Sequence, residues 1–586
     1  MSAEAWVKLL VDDEGLRWRT VSPQRRVLVV VHNVTAATRL LDILPLWSED
    51  VRVQTVFTCI GSSAFTNGTD EFLAARGITP IPWDEAARRP FDLAVSASHG
   101  GPLHEVGAPL IIVPHGMGYN KFLETGNRKP ETGNRKPETG NRKPETGNRK
   151  PETGNRKPVF GLSPDWLMHG GRLVPSVAVL SHVEQRERLR VSCPEAVDAV
   201  LVAGDPCLDR ITASRPLRET YRHALGARPE HRVLVVSSTW GPASLFGRDA
   251  SLVLRLAKEL PIDEYRIVLA LHPNVWDGHS PWQVRRWLAE CTRAGVVVLP
   301  PEEGWRAALV AADLTVGDHG SVTFYSAANG TPVLLASWPE NAVDPGSPIA
   351  QLLASAPRLR PGGLAGQVDE VIRDHHPDRY RTITDLATSE PGRAARLLRA
   401  EIYSRMDLPE PPEPAEPAAV PVPEVESASS PSQLVSVGFD GATAVVVRHP
   451  ASALSDPALL PADSILVTST ATPHRRWLEL AEIVIHDGVH DDPRHWADAT
   501  LTELPGCLLA AVRSAGGWAV TGLGLPVVHF SGPEDLGPVY AATLHAWLRT
   551  GLPIEDIPDE VSLRLGRREV TARIAGASPA SAPPAR

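Results

Sequence analysis

Short apolar runs, rich in β-branched residues, recur along this chain, and each stops at a small or polar exit. Residues 27–31 (Val-Leu-Val-Val-Val) are the clearest case. A run without polar alternation suits a strand buried on both faces, and such strands belong to parallel sheets covered by helices. A helical pattern at 36–46 follows, then strand patterns at 51–59, 92–96, 110–113, 177–180 and 200–203, with a short helix at 71–76. The alternation restarts with strands at 233–237, 266–271, 296–299, 314–316 and 333–335 and helices at 251–259, 282–294, 367–372 and 392–405. The fold class predicted is α/β, with two tandem doubly wound, Rossmann-like domains at 26–215 and 216–405 after an N-terminal segment, 1–25. A linker rich in Pro, Glu and Ala (406–433) leads to a smaller α/β domain (434–576), whose role the sequence does not reveal, and a tail (577–586) predicted to be disordered.

One segment breaks this pattern. Residues 124–158 are five identical copies of Glu-Thr-Gly-Asn-Arg-Lys-Pro, holding five of the chain's eight lysines. The units lack any apolar residue and each carries a Gly and a Pro, so neither a coiled coil nor a solenoid can form. The reading is a flexible basic loop with five net positive charges. Expansion of a short unit in a tolerant surface loop explains it most simply. The functional alternative is an arm that holds an anionic polymer or the inner face of a membrane.

The rest of the composition narrows the class. A length of 586 residues suits about two to four domains. The net charge of −10 argues against general nucleic-acid binding. Five scattered cysteines without a CxxC pair argue against a disulfide scaffold or structural zinc and favour a reducing cytosol. The N-terminus carries acids and lacks the apolar core expected of a signal peptide, and no apolar run approaches the ~18 residues of a membrane span. The expected location is therefore cytoplasmic, with any membrane contact peripheral. No cofactor is called and oligomeric state is not legible.

Four strand exits carry candidate chemistry. His115-Gly116 follows the 110–113 strand, with Lys121 close behind. Ligands of open α/β sheets bind outside the carboxyl ends of strands, where a neutral histidine suits a general base; a simple His-Gly turn is the plainer reading. Asp318-His319-Gly320-Ser321 opens a helix, whose amides and dipole suit phosphate, although an ordinary capped helix has the same pattern. His272-Pro273 and Ser238-Thr239-Trp240-Gly241 end two neighbouring strand patterns. A further cluster, His486, Asp487, His490, Asp491, Asp492 and His495, matches no defined metal-ligand spacing and suits a solvated loop, so no metal site is called.

Together these motifs resemble, remotely and over roughly residues 26–400, the CDP-glycerol glycerophosphotransferases of teichoic-acid synthesis, which have the glycosyltransferase-B (GT-B) fold. The correspondences are His115-Gly116, Ser238-Thr239-Trp240, His272-Pro273, Asp318 to Phe324 and Gly330-Thr331-Pro332-Val333. Gly320 stands where that family has a serine, Thr331 where it has a lysine, and Met117-Gly118 where it has threonine-proline. The resemblance implies a GT-B-type arrangement and a nucleotide-diphosphate-linked, CDP-glycerol-like donor. It implies transfer of a glycerophosphate or glycosyl group to an acceptor hydroxyl in cell-envelope polymer synthesis, without a tightly bound metal. His115 and His272 would be catalytic, and Ser238, Thr239, Asp318, Gly320 and Ser321 would hold the donor phosphates. Gly116 and Lys121 would lie on the acceptor side. Two alternatives stay open: a non-catalytic binding or scaffold protein, and a sugar-nucleotide epimerase or hydrolase on the same fold.

Overall fold

The 27–31 run lies within β1 (Arg25–Val31), and its residue-by-residue packing shows why it has no polar alternation. Val27, Val29 and Val31 face one core with Leu40 and Ile43 of helix α1 (Val34–Ile43), while Leu28 and Val30 face another with Ile81, Phe91 and Ile112. Successive side chains on a strand point to opposite faces, so both parities must be apolar. Each such side chain contributes roughly 1.5–3 kcal/mol on burial. The computed structural model describes residues 20–61, 68–122, 159–426 and 428–575, apart from 457, 459 and 462. The repeat array, the tail and the stretch up to residue 19 lie outside the described residues.

Besides β1, the first sheet contains β2 (Val53–Cys59), β3 (Ile81–Pro82), β4 (Leu93–Ser96), β5 (Leu110–Ile112), β6 (Val177–Leu180) and β7 (Val200–Val202). Its order is β3-β2-β1-β4-β5-β6-β7, every neighbouring pair parallel. This is the doubly wound topology expected. The two-residue strand β3 is too short to leave a sequence pattern.

The second sheet, also parallel, has the order β10-β9-β8-β11-β12, made of β8 (Arg232–Ser238), β9 (Tyr265–Leu271), β10 (Val297–Val298), β11 (Leu314–Gly317) and β12 (Val333–Leu335). After β9 come helices α2 (Pro273–His279) and α3 (Pro281–Trp287); α4 (Ser321–Ala328) follows β11. The single helix expected over 282–294 is two, α3 and a second piece at Ala289–Arg293, parted at Leu288. The closing helix α5 (Ala394–Arg405) inserts Leu398, Ile402 and Tyr403 into the first sheet's core.

By internal contacts the chain forms two units, one of residues 1–213, 338–355 and 380–419 and one of residues 214–337, 356–379 and 420–586. The linker is extended, and Val420 is fixed at both ends of its peptide: its N–H donates to Ser214 and its carbonyl accepts from Tyr221.

The C-terminal region is an α/β domain whose nine strands close into a barrel. Helix α6 (Gly537–Arg549) buries Val539, Tyr540, Ala541 and Leu544 in the barrel core beside Val435, Val520, Phe530 and Leu563. A short helix (Arg475–Leu480) precedes the barrel strand that begins at Ile483. A buried ion pair ties this barrel to the second sheet's domain. Arg448 donates to both oxygens of Asp263, at 2.7 and 2.5 Å, and Arg228 adds a third bond at 3.1 Å.

Candidate active site

In the first unit, three adjacent parallel strands each run out into a histidine. His32 follows β1, His99 follows β4 and His115 follows β5. Asn33 caps α1 by accepting the N–H of Ala36 at 2.9 Å, which fixes the exit that carries His32. His115 Nδ1 lies 3.1 Å from the carbonyl oxygen of Ala97. A carbonyl only accepts, so Nδ1 carries the hydrogen and the neutral ring keeps its lone pair on Nε2. Burial first, then the positive charges of Arg39 and Lys121, lower the His115 pKa to about 4 against the hydrogen bond that Nδ1 donates to the Ala97 carbonyl. The ring is therefore neutral at physiological pH, with its basic nitrogen available.

Around it the pocket is aromatic and basic. The Phe160 ring meets His115 edge-on at 5.5 Å and His99 at 5.6 Å, and Trp166 backs Phe160 at 4.6 Å. Arg39 donates to the His115 carbonyl at 3.2 Å and pairs with Asp42. Lys121 forms an isolated bridge with Val343, placing it and Gly116 on the same loop as His115. Gly161, at φ 78°, is required by the crowding: a Cβ there would lie 2.4 Å from the Tyr119 ring.

His32 and His99 were not singled out from the sequence. Both are buried, and burial lowers His32 to about 4 and His99 to about 3. His32 Nε2 donates to Gly100 at 2.8 Å, while its Nδ1 and both ring nitrogens of His99 have no hydrogen-bond partner. Buried polar atoms are nearly always bonded, which sets these nitrogens apart from the other polar groups around His115. The signal that could have found them is the recurrence of histidine just past successive strands. Among the described residues no group of three or more His, Cys, Asp or Glu is placed to hold a metal ion.

In the second unit the predicted donor residues divide sharply. Asp318 is 1% exposed, and its carboxylate accepts the N–H groups of Thr239, Leu245 and Gly320, each at 2.9 Å. Ser238 donates to the Thr239 carbonyl and accepts from the Phe246 N–H, both at 2.9 Å. These side chains knit the β8 exit to the start of α4. The Gly320 N–H, expected to reach a phosphate, is thus committed to Asp318. Gly320 itself is explained by space, because a Cβ would stand 3.1 Å from Asp318 and 3.2 Å from Thr239. Ser321, by contrast, is partly exposed at the first position of α4, where helix amides favour an anion.

His272 lies one strand over. Its backbone N–H donates to Ser238 at 3.0 Å, and its Nδ1 accepts the Asn274 N–H at 3.1 Å. The neutral ring must therefore carry its hydrogen on Nε2, the reverse of His115. Nearby, the buried atoms Asn274 Oδ1, Trp276 Nε1 and Asp277 Oδ2 have no partner. Burial, with help from Glu302, raises the Asp277 carboxyl to about 6. No motif in the sequence pointed to this pair of acids.

No protein-family model and no curated relative matches the chain. Solved structures do. One of the wall teichoic acid polymerase TagF aligns at 13% identity with a TM-score of 0.43, over 68% of this chain and 93% of that one. Another, a TagF variant soaked with CDPG, gives 12% and 0.42 over 66% and 89%. The UDP-GlcNAc 2-epimerase of Neisseria meningitidis bound to UDP-GlcNAc gives 12% and 0.37 over 65% and 100%. The resemblance to the teichoic acid polymerase is remote. Identities this low carry no chemistry across, so the function rests on the side chains above.

Among the described residues no helix is long and apolar enough to cross a membrane. Two histidines of the 486–495 segment pack against an aromatic ring: His486 and His490 lie 5.7 and 5.8 Å from Trp496.

Proposed function

We propose that this chain is a cytoplasmic transferase that moves a glycerophosphate or glycosyl group from a nucleotide-diphosphate-linked donor, CDP-glycerol-like, to an acceptor hydroxyl during cell-envelope polymer synthesis. The observation that carries this reading is the state of His115: burial keeps the ring neutral, and the hydrogen bond from Nδ1 to the Ala97 carbonyl leaves the lone pair on Nε2. In the glycerophosphate case, Nε2 takes the acceptor's hydroxyl proton as the oxygen attacks the donor's β-phosphorus. The bond from that phosphorus to the bridging oxygen breaks, and the electron pair leaves with CMP. His272, with hydrogen on Nε2, donates to the phosphate oxygens, and Ser321 with the α4 dipole supports the diphosphate. Asp318, Gly320, Ser238 and Thr239 act by positioning that turn. Lys121 and Gly116 serve the acceptor side. The Asp277–Glu302 pair suits the hydrogen-bond donors of a ribose or base. The base limb of activity should extend well below the ordinary histidine pKa of ~6.5.

The test is a thermal-shift panel of CDP-, UDP- and GDP-linked compounds, followed by nucleotide release in the presence of an acceptor polyol. A shift with CDP-glycerol that His272→Ala removes, with CMP release that His115→Asn abolishes, is expected. Binding without turnover would favour the scaffold reading, and a UDP-sugar that is isomerised without transfer would favour the epimerase.

A further inference from the structure

Helix α2, capped by His272, carries a set of side chains that phosphate cannot use. Its Val275 and Trp276 are buried in the core of the second sheet's domain. Asn274 and Asp277 stand three residues apart, which puts them on one face of the helix. A buried oxygen of each, Asn274 Oδ1 and Asp277 Oδ2, has no hydrogen-bond partner among the described residues. Trp276, 4% exposed, adds a buried donor, Nε1, that also has none there. Burial first, then the charge of Glu302 from the exit of the neighbouring strand β10, raises the Asp277 carboxyl. Glu302 is therefore a second acid beside the first.

Two carboxyl groups and an amide oxygen form a wall of acceptors. Like charge keeps a diphosphate away from such a wall, so within a nucleotide it suits the uncharged end. An exocyclic amine offers two N–H donors from one nitrogen, one for each open oxygen, and a ring nitrogen beside it accepts an indole N–H. Cytosine has this edge, its N4 amine next to N3. Uracil puts an oxygen where the amine would be, and acceptor then faces acceptor. The indole of Trp240, on the β8 exit and 37% exposed, lies 6.5 Å from the His272 ring and offers a flat base a surface at the same sheet edge. We propose that Asn274 and Asp277, with the Trp276 N–H, form a base-reading subsite that selects an amine-bearing nucleobase such as cytosine over uracil. This rests on the nucleotide-donor reading above and deepens it by naming the residues that choose the base. The discrimination comes from the cost of leaving a desolvated acceptor opposite the uracil oxygen.

Isothermal titration of the full-length chain with CDP, UDP, ADP and 2′-deoxy-CDP tests it. EDTA is present throughout, so that no metal bridges the carboxylates to the diphosphate. CDP should bind about tenfold or more tightly than UDP, the effect of one hydrogen bond to a charged group. Asp277→Asn exchanges an acceptor oxygen for an amide that can donate. It should shrink the CDP-to-UDP ratio by about tenfold while the melting temperature holds. Asn274→Ala should shrink the ratio less, since its oxygen is uncharged. A ratio near one in the parent overturns the inference, as does a ratio that both substitutions leave alone. Equal weakening of CDP and UDP by Asp277→Asn would make Asp277 a packing residue and also overturns it. So does a loss on removing the 2′-hydroxyl as large as that on changing the base, which would assign the acceptors to ribose. An ADP affinity above that of UDP, erased by Asp277→Asn, supports amine reading and moves the amine to a purine. If no nucleotide binds, the transferase reading falls too, whereas a CDP-to-UDP ratio of one sinks this inference alone.

Discussion

As bare sequence, the histidine pocket of the first unit and the Ser-Thr-Asp turn of the second are alike, each a polar exit from a buried strand. Their hydrogen bonding is opposite. Asp318 and Ser238 have every bond satisfied within the protein, whereas His32 and His99 keep buried nitrogens open beside the basic Nε2 of His115. Saturated polar groups build a scaffold. The difference teaches that a motif's polarity says little until its partners are counted.

The sharpest way to break the comparison is His115→Asn. Removing a general base should lower turnover by about 10²–10⁴-fold. The melting temperature should hold, because the lost bond is a single one to Ala97. Undiminished CMP release would return His115 to a turn-capping role.

Acid titration of stability comes next in size. His32, His99 and His115 have folded pKa values of about 4, about 3 and about 4, below the unfolded value. Between pH ~6.5 and those values the unfolded chain binds more protons, so stability is full above ~6.5 and falls as pH drops toward 4. The fully buried pair, His32 and His99, should each cost on the order of 3 kcal/mol over that window. Urea unfolding across pH measures it. His99→Phe should flatten the slope and, if the open nitrogens hold substrate, raise KM. A flattened slope with unchanged KM would make His99 mere packing.

On the saturated side, Asp318→Asn should destabilise the fold by about 2–4 kcal/mol, because an amide cannot accept on both arms and leaves buried N–H groups unpaired. A nucleotide affinity that collapses while the melting temperature stays put would show that Asp318 touches ligand after all. The smallest effect belongs to the array: halving or doubling its copies should shift stability by about 0.6 kcal/mol at most, by loop-closure entropy.

The two parallel sheets were legible because strands buried on both faces leave continuous apolar runs, as 27–31 does. The barrel's closure was not, because it depends on pairings such as Glu560–Leu565 with Thr443–Pro450, more than a hundred residues apart in the chain. The break at Leu288 was hidden by an apolar period that runs through both helix pieces. His115 and His272 stood out as candidates because each sits in a strand-end motif. His99 sits in Ala-Ser-His-Gly-Gly, which reads as a plain turn, and Asp277 gains its character only from burial and from Glu302, brought over by the neighbouring strand.

The isolated bridge between Phe122 and Val159 brings the two ends of the array-bearing segment together as paired neighbours. Anything spliced between them departs from and returns to one point beside the histidine pocket. That makes the position a natural socket: a fluorescent or affinity module inserted there would leave both sheets' connections intact and report, from a fixed anchor, on what approaches His115.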